Sequence, residues 1–216
     1  MADLHTAEAR RGTGRPTDRA EGEVRARIIS EAARIFADSG YSGASIQEIV
    51  DAAGTTKPMV YYYFENKQGL YHEIFRTYQR DTLAAQAAVI DRSDLSTEEK
   101  MIQMVEVHFD HARKSPERAR FMFAAHFGPR REMPVVAPPD AEDEFFRMIV
   151  ALMKSGVDRG DLRGDPLLIA QALLGQILIH LASHVSDTNP IPLPDDAARR
   201  VVQVLLDGVG NEGGTA

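Results

Sequence analysis

The 216-residue sequence contains no cysteine and no tryptophan. Without cysteine it can form neither disulfides nor thiolate metal sites, and no cysteine nucleophile is available. No apolar run stands out at the ~20 residues that spanning a bilayer requires. The first residues are polar and arginine-bearing, unlike the apolar core of a secretory signal. Glycine-rich phosphate loops and GxSxG elbows are missing too. GVDRGDLRGD carries three glycines, but it links two helical segments and follows no strand. These absences point to a cytoplasmic chain without membrane partner, catalytic residues or cofactor, and its length allows a sizeable core.

The formal net charge of −7 at first argues against a nucleic-acid partner, but it is unevenly spread. Residues 1–80 hold 11 Lys and Arg against 11 Asp and Glu, and residues 81–216 hold 14 against 21. The acidity therefore belongs to the second part, and a local cationic surface in the first part remains compatible with phosphate binding.

What is present in that first part is a compact motif, SIQEIVDAAGTTKPMVYYYF, from Ser45 to Phe64. Ser45 and Glu48 have the spacing of a capping box. Ile46, Ile49, Val50 and Ala53 recur at helical spacing. Gly54 stands where one helix must stop and the chain turn with positive φ. Thr56 is placed to cap a second helix, with Pro58 in its first turn, where a missing N–H is harmless. Val60 and Phe64, four apart, anchor that helix. Thr55, Thr56, Lys57, Met59, Tyr61, Tyr62 and Tyr63 are left for its outer faces. Hydroxyls and an ammonium group suit phosphates and base edges. The pattern reads as a helix-turn-helix; the plainer reading is a helical hairpin with tyrosines in its core. Asn66 is placed to cap the next helix with Lys67 in its first turn, so that a cation and a helix N-terminus would face one phosphate together.

Residues from about Arg25 to Phe75 resemble the DNA-binding domain of the TetR family of bacterial transcriptional regulators. The resemblance rests on RIISEAARIFADSGYSGASIQEIVDAAG, TTKPMVYYYF and ENKQGLYHEIF, roughly a quarter of the chain. It implies an all-α fold: an N-terminal three-helix helix-turn-helix domain followed by a helical effector-binding and dimerisation domain. The expected division is a flexible arm over 1–18, the DNA-binding domain over 19–66 and the second domain over 67–216. On this reading Ser45, Thr56, Tyr61, Tyr62 and Lys67 hold phosphates of a double-stranded DNA operator. Gln47, Thr55, Lys57, Pro58 and Met59 are the candidates for base edges. The arginines of the arm have two readings, minor-groove contacts or a solvated tail.

The remainder reads as helices throughout. The first runs from about Asp18 to Ser39, with Gly40 as its stop. A helix beginning near Lys67 and reaching about Ile90 starts at the DNA surface and ends in the second domain. Further helices follow over about 97–115, 117–127, 141–159, 165–185 and 195–209, with proline-bearing loops at 128–140 and 187–196. The last two are broadly apolar: Leu173, Leu174, Ile177, Leu178 and Leu181 on one, Val201, Val202, Val204 and Leu205 on the other. Such breadth implies burial on several sides, either inside a monomer or in a homodimer through these last two helices.

His180 and His184 are four apart, and His108 and His111 lie near Glu106 and Asp110, but neither group has metal-site context, and no metal is assigned. Met104, His108, Phe109, Met122, His126, Phe146 and Gln176 are the candidates for an apolar cavity holding a small-molecule effector. Met and Phe at helical spacing are equally consistent with plain core. The expected function is that of a ligand-responsive repressor, released from a pseudo-palindromic operator by a small apolar or amphipathic effector. The alternative is a protein of the same fold that recruits a protein partner and has no small effector.

Overall fold

The computed structural model describes residues 16–128, 134, 139–186 and 188–208. Residues 1–15 of the proposed arm, most of the interior of the 128–140 loop and the end of the C-terminal tail therefore lie outside the described residues, while the last three residues of that arm belong to the first helix. The described chain is helical: α1 (Pro16–Gly43), α2 (Ile46–Ala53), α3 (Lys57–Phe64), α4 (Lys67–Ile90), α5 (Thr97–Lys114), α6 (Pro116–Phe127), α7 (Pro139–Arg159), α8 (Pro166–His184) and α9 (Ala197–Asp207). Among the described residues there is no strand.

Local chemistry sets the boundaries. The regular part of α1 ends at Gly40, which leaves helical geometry at φ 70° and ψ 169°. Ser45 caps α2 by accepting the Glu48 N–H at 3.1 Å. At Ser96 and Glu99 both halves of a capping box form and fix the start of α5. Asp165 accepts the Leu167 N–H at the start of α8, with Pro166 in its first turn. Thr56 holds the N-cap position of α3 without a side-chain capping bond, which differs from the expectation; Pro58 in the first turn leaves one fewer donor there to satisfy.

Two hydrophobic clusters organise these helices. The first joins α1, α2 and α3 to the first half of α4 through residues such as Ile28, Phe36, Ile49, Val60, Leu70 and Ile74. Phe121 of α6 is buried in the same cluster, with ring centroids 4.9 Å from Tyr71 and 6.4 Å from Phe36. The second unites the end of α4 with α5, α7, α8 and α9 around Met101, Met104, Phe109, Met153, Leu173 and Val202. Helix α4 thus contributes to both, and α6 reaches from the second group of helices into the first core.

Helix α8 corrects one expectation about apolar runs. With a mean hydropathy of 1.6 over its most apolar window, it is long and apolar enough by length and composition to cross a membrane. The interspersed Gln171, Gly175, Gln176 and His180 hide this in the linear sequence. The core helix of a soluble protein passes the same test, yet only 17% of that window is buried within the single chain. Leu168 and Ile179 are 62% and 59% exposed.

A helix-turn-helix face and an apolar cavity

Helices α2 and α3 are joined by a turn that requires left-handed backbone. Gly54 adopts φ 59° and ψ 46°, its N–H donates to Asp51 O, and the Thr55 N–H closes on Val50 O at 3.1 Å. A side chain at Gly54 would be strained in that conformation. Ile49, Val50 and Ala53 fasten α2 to the core, and Val60 and Phe64 fasten α3. Lys57, Pro58, Tyr61 and Tyr62 are exposed along the outer face of α3, and Tyr62 is 75% exposed. Thr55 and Met59 are half-buried, while Ser45, Gln47 and Thr56 are exposed beside them. Gln47 is engaged by Asp51, to which its amide donates at 2.8 Å. Tyr63 turns inward, its hydroxyl donating to Glu21 O at 3.4 Å. The tyrosine run therefore divides, with two rings outward and the third against α1.

Lys67 has an internal role that its position in the sequence did not reveal. Its ammonium donates to Tyr41 O at 2.7 Å and to Ala44 O at 2.9 Å, and lies 4.4 Å from the Tyr41 ring centroid. Two of its three N–H groups thus tie the start of α4 to the α1–α2 connection. The start of α4 also packs tightly on the end of α3. A Cβ on Gly69 would lie 2.1 Å from Phe64 O, so only glycine fits there. Asn66 caps α4 by accepting the Gly69 N–H.

The second feature is a cavity of about 260 Å³ among α4, α5, α6, α7 and α8. Its walls are mainly apolar, from Leu83, Phe146, Leu174, Ile177, Leu178 and Leu181, and the exposed rings of Phe123 and Phe127 carry it to the surface. Of the residues expected to form such a cavity, His108, Met122, His126 and Phe146 line it. Met104 and Phe109 do not: they are 1% and 0% exposed and belong to the second core. Gln176 also stands outside the lining, and its carbonyl pairs with His180 Nδ1 at 2.8 Å. Met and Phe at helical spacing serve core and cavity alike, and only the facing helices separate them.

Sequence reasoning missed Arg118, Thr82 and Leu83. Arg118 lines the cavity and donates through Nη2 to Tyr78 O at 2.8 Å and Thr82 Oγ1 at 3.1 Å. Its guanidinium carbon lies 4.6 Å from the Tyr78 ring centroid. One arginine within the charged string PERARF gave no sign of facing inward. His108 lies edge-on to Phe145 with ring centroids 5.0 Å apart, and its Nε2 is buried with no hydrogen-bond partner. Burial, aided by the nearby His111 and Arg118, pushes its pKa down to about 4, so the ring is neutral at physiological pH. Among the described residues no cluster of His, Asp and Glu could hold a metal ion.

Residues 28–74, covering the helix-turn-helix and the first turns of α4, match the family described as bacterial regulatory proteins, tetR family. Over that segment the chain is similar to the TetR family. A transcriptional activator, FasR of Mycolicibacterium smegmatis, is 28% identical over 130 residues. That match covers 57% of this chain and 59% of the relative, less than two thirds of the relative's own length. Among solved structures, a putative fatty acid metabolism regulator of Clostridium perfringens superposes with a TM-score of 0.73 at 18% identity. It covers 86% of this chain and all of its own. FadR of Bacillus subtilis, solved with stearoyl-CoA, gives 0.68 at 17% identity over 86% of this chain and 99% of its own. At such identities the structural likeness speaks for the fold alone.

Proposed function

We propose that the chain is a homodimeric, ligand-responsive transcriptional regulator acting in the cytoplasm, most simply as a repressor of a pseudo-palindromic operator. The observation that carries this reading is the helix-turn-helix itself, with α3 anchored by Val60 and Phe64 and presenting Lys57, Tyr61 and Tyr62 outward. Each protomer inserts α3 into a major groove, and two-fold symmetry sets the two recognition helices about one DNA turn apart, ~34–36 Å, or somewhat more. Tyr61, Tyr62, Ser45 and Thr56 face phosphates, and Lys57, Pro58, Gln47, Thr55 and Met59 lie nearest the base edges.

The dimer forms through α8 and α9. Leu168, Ile179 and Val204 are 62%, 59% and 50% exposed, an apolar face that a soluble chain covers. Gly175 has nothing within 4 Å of its Cβ position and permits close approach of a second helix. The cavity supports an apolar or amphipathic effector, and the stearoyl-CoA bound by the Bacillus FadR makes acyl compounds the first class to test. The effector must favour the DNA-incompetent arrangement, because a ligand with equal affinity for both arrangements shifts nothing.

FasR is named an activator, which favours a second reading in which the same switch turns transcription on. Sedimentation of the purified chain with a selected duplex tests the assembly: two protomers per site are expected, and a monomer both free and bound would overturn it. In-vitro transcription from the same duplex separates repression from activation.

A further inference from the structure

Among the described residues that line the cavity, Arg118 is the one with a permanent charge. Its side chain is only 14% exposed. Its nearest carboxylate, Asp81, is 3.7 Å away and 48% exposed, too distant for a hydrogen bond and largely solvated. Burial accordingly lowers the Arg118 pKa. A buried cation with so weak a counter-charge gains from a second anion. His108 adds an unpartnered buried Nε2 in the same cavity. A neutral imidazole protonated at Nε2 donates to a carboxylate oxygen, and a guanidinium presents paired donors to the same group. The apolar lining from Leu174, Ile177, Leu178 and Leu181 suits a hydrocarbon chain.

Resting on the effector reading above, we propose that the cavity selects an amphipathic carboxylate with a short or medium apolar chain, and that Arg118, helped by His108, recognises its charge. The volume of about 260 Å³ lies just below the usual range for ligand pockets of ~300–1,000 Å³, which favours a small acid. A thioester carbonyl carries no charge and leaves the guanidinium uncompensated. The same site supplies a link to DNA. Arg118 Nη2 now holds the Tyr78 carbonyl and Thr82 hydroxyl of α4, and a carboxylate competes for those donors. The ligand thereby loosens the tie between α6 and the helix that begins beside the DNA-reading unit.

Titration calorimetry of the full chain with sodium octanoate, 1-octanol and octanoyl-CoA tests the assignment. The acid should bind at least about tenfold more tightly than the alcohol, as ~1.4 kcal/mol of charge-assisted bonding requires. Arg118→Gln should abolish that preference while leaving alcohol binding in place. Arg118→Lys keeps the charge without the fork and should weaken acid binding severalfold, so the proposal remains testable if Arg118→Gln does not fold. His108→Phe should weaken the acid more than the alcohol. Equal binding of acid and alcohol, or an acid preference that survives both Arg118 variants, would overturn the proposal. Octanoyl-CoA binding tightly without regard to Arg118 would overturn it too, while leaving the broader effector reading intact. Binding of none of the three would remove both. Acid binding through Arg118 with no change in the fluorescence anisotropy of a bound duplex would support the site and refute only its coupling to DNA.

Discussion

The Lys67 ammonium lies 2.7 Å from the Tyr41 carbonyl and 2.9 Å from that of Ala44, so the cation that opens α4 is spent on the α1–α2 connection. Charge-assisted bonds of this kind contribute roughly 1.5–3 kcal/mol each when shielded and less where water competes. Lys67→Ala should therefore lower stability by about 1–3 kcal/mol, read from the urea midpoint. The slope of log K against log salt for DNA binding should stay unchanged. A slope smaller by about 0.9 per protomer with unchanged stability would instead make Lys67 a phosphate contact through its third N–H.

Lys57 and Tyr62 project from α3 with little to lose inside the protein. Replacing either should change stability by no more than about 0.5 kcal/mol. Lys57→Ala should relax sequence preference at one operator position, by about 1–3 kcal/mol if it reads a base. Tyr62→Phe should weaken all sequences alike. Binding measured against a panel of single-base operator variants separates the two. Uniform loss in Lys57→Ala would reduce Lys57 to a phosphate contact.

Phe121 is the side chain that α6 sends into the N-terminal core, where it meets Tyr71 and Tyr78 of α4 and Phe36 of α1. Phe121→Ala should cost about 3–5 kcal/mol, as buried phenylalanines usually do. Phe121→Leu keeps most of the volume and should cost less. In that milder variant DNA binding should persist while its response to effector weakens, measured as the ratio of operator affinities with and without ligand. An undiminished ratio would remove Phe121 from the link.

His108 makes stability depend on pH. Its folded pKa of about 4 lies below the ordinary value of 6.5, so the unfolded chain binds more protons between these values. Stability should be full above pH 6.5 and fall by roughly 2–3 kcal/mol as pH drops toward 4. The His111 pKa is lowered as well, which adds in the same direction. His108→Gln should flatten this dependence when urea unfolding is compared at pH 7 and pH 5. An equally steep loss in the variant would place the acid sensitivity elsewhere.

Much of the reading unit was legible because local chemistry specifies it. Ser45, Gly54, Pro58 and Asn66 each mark a helix end by a mechanism that operates within four residues. The strong 3.6-residue pattern of Ile28, Ala32, Ile35 and Phe36 marked α1 in the same way, and the remaining helices follow from similar stops. The cavity was harder to read. Met104 and His108 are one turn apart on α5, yet the first is core and the second lines the cavity, a difference set by the neighbouring helices and not by the local pattern. Arg118 was missed, and the internal contacts of Lys67 went unforeseen, for a related reason: nothing in their neighbours in sequence shows that both donate to carbonyls 23 to 40 residues away. The breadth of apolar surface on α8 was visible, but which part of it stays exposed on the single chain was not.

Helix α3 is proposed to read a specific duplex as one half of a symmetric pair. Selection of genomic fragments by the purified chain, at two salt concentrations, tests it most directly. One enriched palindromic motif that persists at the higher salt is expected, with half-sites about one helical turn apart or somewhat more. Binding that falls with salt and enriches no motif, or a protein freed of co-purified ligand that ignores DNA even at low salt, would contradict it.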